Sequence, residues 1–533
     1  MYYKEIYTNG EYDYFDKNKL TLNFISKYYR FSSPDDIKGI VSYDKDMNIL
    51  LSDTKEKTDF NLEFRYKRGI KNSGFKLKVN PEKEVIIQAS DERGIVNGYK
   101  AFINQIKKTN DGMYIPYIEI NHEPSLKLSG VIEGFYGRQW TIEDRLDCIK
   151  FIGQNYMNTY MYAPKNDIYH RDKWREFYPQ DKILEFKEIL KECENYHVDF
   201  YYMIAPGKDF KFNMKYDYIV LKSKLKQLID IGVIKFGVLL DDIDYFKGAG
   251  VKHAELVNNV YCFLKENLEE FDLVMCPTEY DIDYDTPYLK SLGENLLPEI
   301  KIFWTVNETL SHRIPKDSFE KISSILNHKI IIWDNVPVND FEGDKELLFI
   351  APYENRSPYL CDNNLEGIVL NPMDRWEVSK FTLASFSQYA FNSSSFRGRD
   401  DFKEAISLVI SKDIVEDMYL FSQYFRNSRV SNSLPFNLIH LLNKTDINGI
   451  DSELNKLFNA IENIKNSKDK KLLESIIPWI LQIEEEKILW ESFKKGNIED
   501  AKSKLKLLEL SKHKTSANIV IKILKKILDI EDV

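Results

Sequence analysis

Eight short apolar runs recur between residues 126 and 372, and their spacing limits the fold more than any other feature of this chain. They are LKLSGVIEGF from 126, NTYMYAP from 158, VDFYYMIAP from 198, KFGVLLDD from 235, FDLVMCPTEY from 271, IKIFWTV from 300, KIIIWDN from 329 and EGIVLNP from 366. Amphipathic stretches such as TIEDRLDCIKFIGQN and HAELVNNVYCFLKENL separate them, with Thr141 placed as an N-cap and Asp144 three positions on. Buried strands alternating with helices at steps of roughly 30 to 40 residues predict a (β/α)₈ barrel of the TIM type, an α/β fold. A doubly wound open sheet is the alternative. Against it stands the absence of a Gly-rich phosphate loop after the first run.

The flanks lack this alternation, so three domains are expected: a small α/β unit at 1–124, the catalytic barrel at 125–395 and a helical bundle at 396–533. In the first, FNLEFRYKRG, GFKLKVN and EVIIQAS read as strands and DERGIVNGYKAFINQIKK as a helix. After about residue 395 the pattern becomes almost purely helical, with SRVSNSLPFN at 428–437 the clearest loop.

With 43% hydrophobic and 30% charged residues the chain reads as an ordinary soluble protein, and a net charge of −10 without blocks of one sign argues against a nucleic-acid partner. Cys148, Cys193, Cys262, Cys276 and Cys361 are odd in number and form no CxxC pair, which fits a reducing compartment. The start, MYYKEIYTNG, has no basic segment leading into an apolar one, and no apolar run of about 18 residues occurs. The expectation is a cytoplasmic protein with no membrane partner, or a secreted one if a leader has been removed.

In a barrel of this kind the chemistry sits at the carboxyl ends of the strands. Those ends supply Glu133 and Gly134, Lys165, Asp241 and Asp242, Glu279 and Tyr280, Asn335 with Asp340 beyond it, and Asn371; Trp333 and Tyr136 add flat faces near the same rim. A pocket with carboxylates, a cation, amides and aromatics suits a sugar ring, whose hydroxyls need directional partners and whose C–H faces need a flat surface. Each residue also has a plainer reading. Glu133 and Glu279 could pair with basic neighbours, Lys165 could be a solvated lysine, Asn335 and Asn371 could be turn residues, and Asp241, Asp242 and Asp244 could bind a divalent cation or start a helix.

Metal and nucleophile chemistry have little support. The eight histidines include no HExxH and no close pair, no Asp/Asn/Gly calcium loop is present, and no GxSxG elbow occurs. No metal and no cofactor are expected, and carboxylate chemistry remains.

GVIEGFYGRQWTIEDRL, NTYMYAPKND with YHRDKWRE after it, LLDDID, CPTEYD, IIWDNVPVNDF and IVLNP, in that order, resemble the family 84 glycoside hydrolases, the O-GlcNAcases and related bacterial β-N-acetylglucosaminidases. The match covers roughly residues 128–395, and the family's bacterial members are similar in having a small α/β domain before the barrel and a helical domain after it. The resemblance implies retaining hydrolysis of terminal β-linked N-acetylglucosamine, on a glycoprotein or glycan, by substrate assistance: the acetamido oxygen attacks its own anomeric carbon to form an oxazoline. Neighbouring Cα atoms are about 3.8 Å apart, so Asp241 and Asp242 are poorly placed to flank a glycosidic bond. Ordinary retaining enzymes need that arrangement, with carboxyls roughly 5–5.5 Å apart, and substrate-assisted families are the exception.

By resemblance Asp241 accepts the acetamido N–H, and Asp242 protonates the leaving oxygen and later deprotonates water. A carboxylate beside another is expected to retain a proton more readily. The same carry-over gives Gly134 and Lys165 to the sugar hydroxyls, Tyr280 to the oxazoline, Trp333 to the acetamido methyl, and Asn335, Asp340 and Asn371 to the ring and its substituents. Asp244 is expected to be structural. Two other outcomes are a sugar-binding protein without turnover and a conventional retaining glycosidase with Glu279 as nucleophile.

Overall fold

The computed structural model describes residues 1–15, 19–27, 48–52, 58–109, 112–360, 365–431, 435–444, 446–515 and 518–528. All eight apolar runs form strands: Leu128–Glu133, Thr159–Tyr162, Asp199–Ile204, Lys235–Leu239, Asp272–Cys276, Lys301–Trp304, Ile330–Asp334 and Leu365–Leu370. These pair in parallel in chain order and close, the eighth strand against the first, into a barrel; we number them one to eight.

Period-two alternation divides each strand between two cores. In strand four Phe236 and Val238, with Leu240 after them, pack toward the surrounding helices, whereas Leu239 belongs to the barrel interior with Met161, Tyr201, Met203, Val274, Phe303 and Val369. Gly237 also faces inward, and a Cβ there would lie 2.0 Å from Met203 Sδ, so the methionine fills the space a side chain would need. The middle of the interior is a packed core, and the residues that follow the strands' carboxyl ends surround a cavity.

Thr141 caps the helix Ile142–Gln154 in a capping box, its hydroxyl accepting from Asp144 N–H while Asp144 accepts from Thr141 N–H. The helix fixes strand one through a buried pair: Arg145 donates to both oxygens of Glu133 at 2.9 and 2.8 Å, and the Tyr160 hydroxyl adds a bond of 2.6 Å. Glu133, a candidate by its strand-end position, therefore takes the plainer role of structural partner.

The N-terminal region is a mixed sheet ordered Glu5–Phe15, Met113–His122, Phe75–Val79, Glu84–Ala89, Phe60–Tyr66, Lys19–Lys27, Asn48–Ser52, covered by the helix Glu92–Gln105. Its His122 ring stacks on Phe391, 3.7 Å between centroids, at the end of the buried helix Trp376–Phe391 that follows strand eight. Beyond that helix the described elements are all helices, the last ending at Leu528, and the Trp479 indole N–H donates to the Glu346 carbonyl at 3.2 Å, docking the bundle on the segment after strand seven. Of the loop expected at 428–437, residues 428–431 and Pro435 are non-helical, whereas the helix Phe436–Asn443 already begins at its last two positions; residues 432–434 lie outside the described residues, as does Cys361. Among the described residues no helix is long and apolar enough to cross a membrane.

Arg145→Met should cost about 3–5 kcal/mol of stability, because it leaves a buried carboxylate unpaired, read as a lowered urea midpoint. An unchanged midpoint would mean that Glu133 is solvated and free to serve the barrel mouth.

Candidate active site

A cavity of about 250 Å³ opens at the carboxyl ends of the barrel strands. Gly134, Lys165, Asp241, Asp242, Tyr280, Trp333, Asn335, Asp340 and Asn371, the residues singled out from sequence, all line it. Tyr136, Cys276, Phe303, Trp304, Thr305, Thr309 and Phe341 complete the wall. Glu133 and Glu279 are not part of it. The Glu279 carboxylate instead accepts from the hydroxyl of Thr286, the N-cap of the helix Pro287–Asn295. Asp244 is exposed on the loop beyond.

The two adjacent aspartates share this cavity because the backbone turns between them. Alternation along strand four points residues 237, 239 and 241 inward, so Asp242 would face the helices like Leu240. Asp242 instead adopts φ 54°, in the left-handed region, at a cost of roughly 1–2 kcal/mol for a residue with a Cβ, though aspartate tolerates it better than most. The preceding Leu240 is held from both sides: its N–H donates to the Cys276 carbonyl at 2.9 Å and its carbonyl accepts from the Thr278 hydroxyl at 2.8 Å. The turn therefore begins from a fixed point and delivers both carboxyls to one space.

Lys165 is no surface lysine; its side chain is 4% exposed and its ammonium donates to Asp241 Oδ2, with Asp242 Oδ2 3.8 Å away. Burial pushes the Asp241 carboxyl up, but Lys165, with help from Arg171, more than offsets that and holds it below the usual carboxylate range. Burial likewise favours loss of the Lys165 proton, and the two aspartates reverse the balance, leaving it above an ordinary lysine. Asp241 Oδ1 is the unusual atom here: it is buried and has no hydrogen-bond partner among the described residues. A buried carboxylate oxygen without a donor is costly, so this one is prepared for a donor that arrives from outside.

Asp242 is more open, its side chain 37% exposed. The Tyr136 hydroxyl donates to its Oδ2 at 2.7 Å, and the Tyr280 hydroxyl stands 3.4 Å from Oδ1. Across the cavity the Trp333 indole N–H and the Asn371 amide both donate to Asn335 Oδ1, at 3.0 and 2.9 Å, while Asn335 donates to the Thr309 carbonyl at 2.7 Å and Asn371 Oδ1 accepts from Gly134 N–H at 3.2 Å. Each amide carries two N–H groups, so one on each stays available to a ligand. Gly134 permits this closure, since a Cβ there would meet the Trp333 ring at 2.3 Å. Asp340 accepts from Tyr136 N–H at 2.8 Å, and burial pushes its carboxyl up.

Strand six contributed nothing to the sequence-based set, yet Phe303, Trp304 and Thr305 form part of the wall. Its end carries no charge, and apolar lining looks like core in a sequence. Arg171 was also missed as a site neighbour, although YHRDKWRE was singled out as a motif. Its N–H donates to the Tyr136 hydroxyl at 2.7 Å, across 35 residues of chain.

A profile of the beta-N-acetylglucosaminidase family matches residues 129–423. The protein O-GlcNAcase of Rattus norvegicus is 36% identical over 283 residues, which cover 50% of this chain and 30% of the rat protein. The chain thus spans under a third of that relative's length. The solved structure of CpGH84B superposes with a TM-score of 0.83 at 25% identity, covering 99% of both chains. That of a mutant Thermobaculum terrenum O-GlcNAc hydrolase superposes with a TM-score of 0.68 at 27% identity, covering 76% of this chain and 94% of that one.

The Lys165–Asp241 balance gives a pH dependence with a definite sign. Because the folded-state Asp241 carboxyl is lowered, its contribution to stability is present above its unfolded value of about 3.9 and is lost as pH falls. In Lys165→Met burial dominates, the carboxyl moves above its unfolded value, and stability is lost as pH rises instead. The urea midpoint deficit of this variant relative to wild type should therefore shrink between pH 7.5 and pH 5. A deficit that is constant or grows on acidification would show that Lys165 is not the countercharge of Asp241.

Proposed function

Because the chain belongs to the beta-N-acetylglucosaminidase family, glycoside hydrolase family 84, we propose that it is a retaining β-N-acetylglucosaminidase that removes terminal β-linked N-acetylglucosamine by substrate-assisted catalysis. The observation that carries this reading is the unpartnered, buried Oδ1 of Asp241 beside the Lys165 ammonium. An ionised carboxylate oxygen accepts and never donates. What suits it is an amide N–H, and the 2-acetamido group is the part of the sugar that has one.

In this reading Asp241 takes the acetamido N–H and turns the acetamido oxygen onto the anomeric carbon. That oxygen forms a bond to C1 as the glycosidic C–O bond breaks, and Asp242 gives its proton to the departing oxygen. The result is an N-protonated oxazoline, an oxazolinium ion, whose positive charge lies beside Asp241 and within reach of the Tyr280 hydroxyl. Water then attacks C1 from the face the aglycone left, Asp242 takes its proton, and the acetamide is released with net retention. Trp333 closes the acetamido methyl pocket, while Gly134, Lys165, Asn335, Asp340 and Asn371 hold the ring and its hydroxyls. Glu279 lies outside the cavity lining, which removes the motive for a conventional protein nucleophile.

The relatives' names, protein O-GlcNAcase and O-GlcNAc hydrolase, support a sugar carried on a glycoprotein; a glycan is the other aglycone that this cavity admits. A reducing, cytoplasmic setting is our reading of the thiols: Cys148, Cys193, Cys262 and Cys276 are all unpaired.

The test is selectivity. Aryl β-N-acetylglucosaminides should be hydrolysed more than about a thousandfold faster than the matched β-glucosides, since oriented internal nucleophiles reach effective molarities of about 10⁵–10⁸ M and the glucoside has none. Comparable rates on both, or a glycosyl ester trapped on Glu279, would refute substrate assistance.

A further inference from the structure

Arg171 is buried, 6% exposed, yet among the described residues it forms no ion pair. Its charge is offset at longer range by Asp241 and Asp242, and the proposed chemistry gives it no contact with the sugar. The segment that presents it is firmly tied. Asp167, three residues into the loop after Pro164, accepts the Tyr162 and Tyr178 hydroxyls at 2.8 and 2.6 Å. His170 is pinned through Nδ1 and the Met203 carbonyl, 2.8 Å apart, and its own carbonyl accepts from Ala205 N–H at 3.0 Å. The chain at Arg171 is thus held in place, and its guanidinium donates to the Tyr136 hydroxyl at 2.7 Å.

Arginine offers donors and no acceptor, so the hydroxyl oxygen of Tyr136 must accept from Arg171 and its own hydrogen must point elsewhere. The acceptor within reach is Asp242 Oδ2, at 2.7 Å. Lys165, 3.8 Å away, faces that same oxygen. Oδ2 therefore meets a donated hydrogen and a cation, whereas among the described residues Oδ1 has only the Tyr280 hydroxyl at 3.4 Å, beyond the usual 2.5–3.0 Å of an O–H···O bond. Burial keeps the Tyr136 hydroxyl protonated, as a relay of this kind needs.

We infer that Arg171 is a positioning residue for proton transfer: by fixing the direction of the Tyr136 hydroxyl it makes Asp242 Oδ2 a permanent acceptor and leaves Oδ1 to carry the proton delivered to the leaving group. This rests on the glycosidase reading above and adds to it a residue that touches no substrate. When Asp242 gives up its proton from Oδ1, the negative charge spreads to Oδ2, where the Tyr136 hydrogen already waits. No group has to reorient during the step.

The experiment measures kcat/KM of the full chain on phenyl and 2,4-dinitrophenyl β-N-acetylglucosaminides, for wild type, Arg171→Met, Tyr136→Phe and the double variant. Phenol needs a proton to leave and dinitrophenol does not. Arg171→Met should lose about tenfold to a hundredfold on the phenyl substrate, a fraction of the 10²–10⁴ that general-acid catalysis supplies, with KM changed less than about twofold. On the dinitrophenyl substrate the loss should stay below about threefold. Since Arg171 acts through the hydroxyl, the double variant should be no worse than Tyr136→Phe alone. Equal losses on the two substrates, no loss on either, or fully additive losses in the double variant would each overturn the assignment. Should Arg171→Met fail to fold, Tyr136→Phe, which deletes one oxygen, still decides: a loss that does not depend on the leaving group overturns it. A wild-type protein inert on both substrates would sink the glycosidase reading and this inference with it, whereas an active wild type with the wrong mutant pattern would sink only the role of Arg171.

Discussion

The ion pair between Lys165 and Asp241 is the interaction on which the rest of the site depends. A carboxyl buried at the end of a barrel strand would ordinarily take up a proton to escape desolvation, and a protonated Asp241 would be an ambiguous donor or acceptor. Lys165 prevents that. It also engages only one of the two oxygens, leaving Oδ1 buried, charged in character and unpartnered. The cost of that atom is carried by the rigidity around it: strand four is fixed at Leu240, the loop bearing Lys165 is anchored through Asp167, and the opposite wall is braced by the Trp333, Asn335 and Asn371 network.

A second constraint is the left-handed backbone at Asp242. Consecutive residues of an extended strand face opposite ways, and only a break in that geometry lets both side chains meet one ligand. The break also sets their environments apart. Asp241 continues the barrel interior and is buried, whereas Asp242 turns up toward the rim, partly open, with tyrosine hydroxyls as neighbours. Adjacent carboxylates thus acquire different chemistry without the separation that a protein nucleophile and acid would require.

Much of this was legible in the sequence because barrel strands buried on both faces read as continuous apolar runs, and the residues just after each run lie at the mouth. The N-terminal sheet was less legible. EIYTNGEYDYF forms an edge strand whose side chains are mostly exposed, so it shows no apolar alternation and is held by main-chain pairing to Met113–His122. Glu133 shows the opposite failure: its strand-end position suggested a site residue, but its partner Arg145 lies twelve residues on, in the helix Ile142–Gln154, and a sequence does not show that the pair is buried. The like-charge argument for Asp241 and Asp242 omitted Lys165, which lies 76 residues from Asp241 in the chain and between the two carboxyls in space. Position along a strand can be read; which distant side chain supplies the countercharge cannot.

That two neighbouring aspartates perform separate tasks is the central claim, and it is tested most directly by kcat/KM of Asp241→Asn and Asp242→Asn across a series of aryl β-N-acetylglucosaminides of graded leaving-group pKa. Asp242→Asn should lose roughly 10²–10⁴ on the poorest leaving groups and progressively less as the phenol becomes more acidic. Asp241→Asn should lose a nearly constant factor across the series, since orienting the acetamide is needed whatever departs. Reversed slopes would exchange the two roles, and two flat series close to wild type would contradict the account, reducing the acidic pair to a structural feature of the barrel mouth.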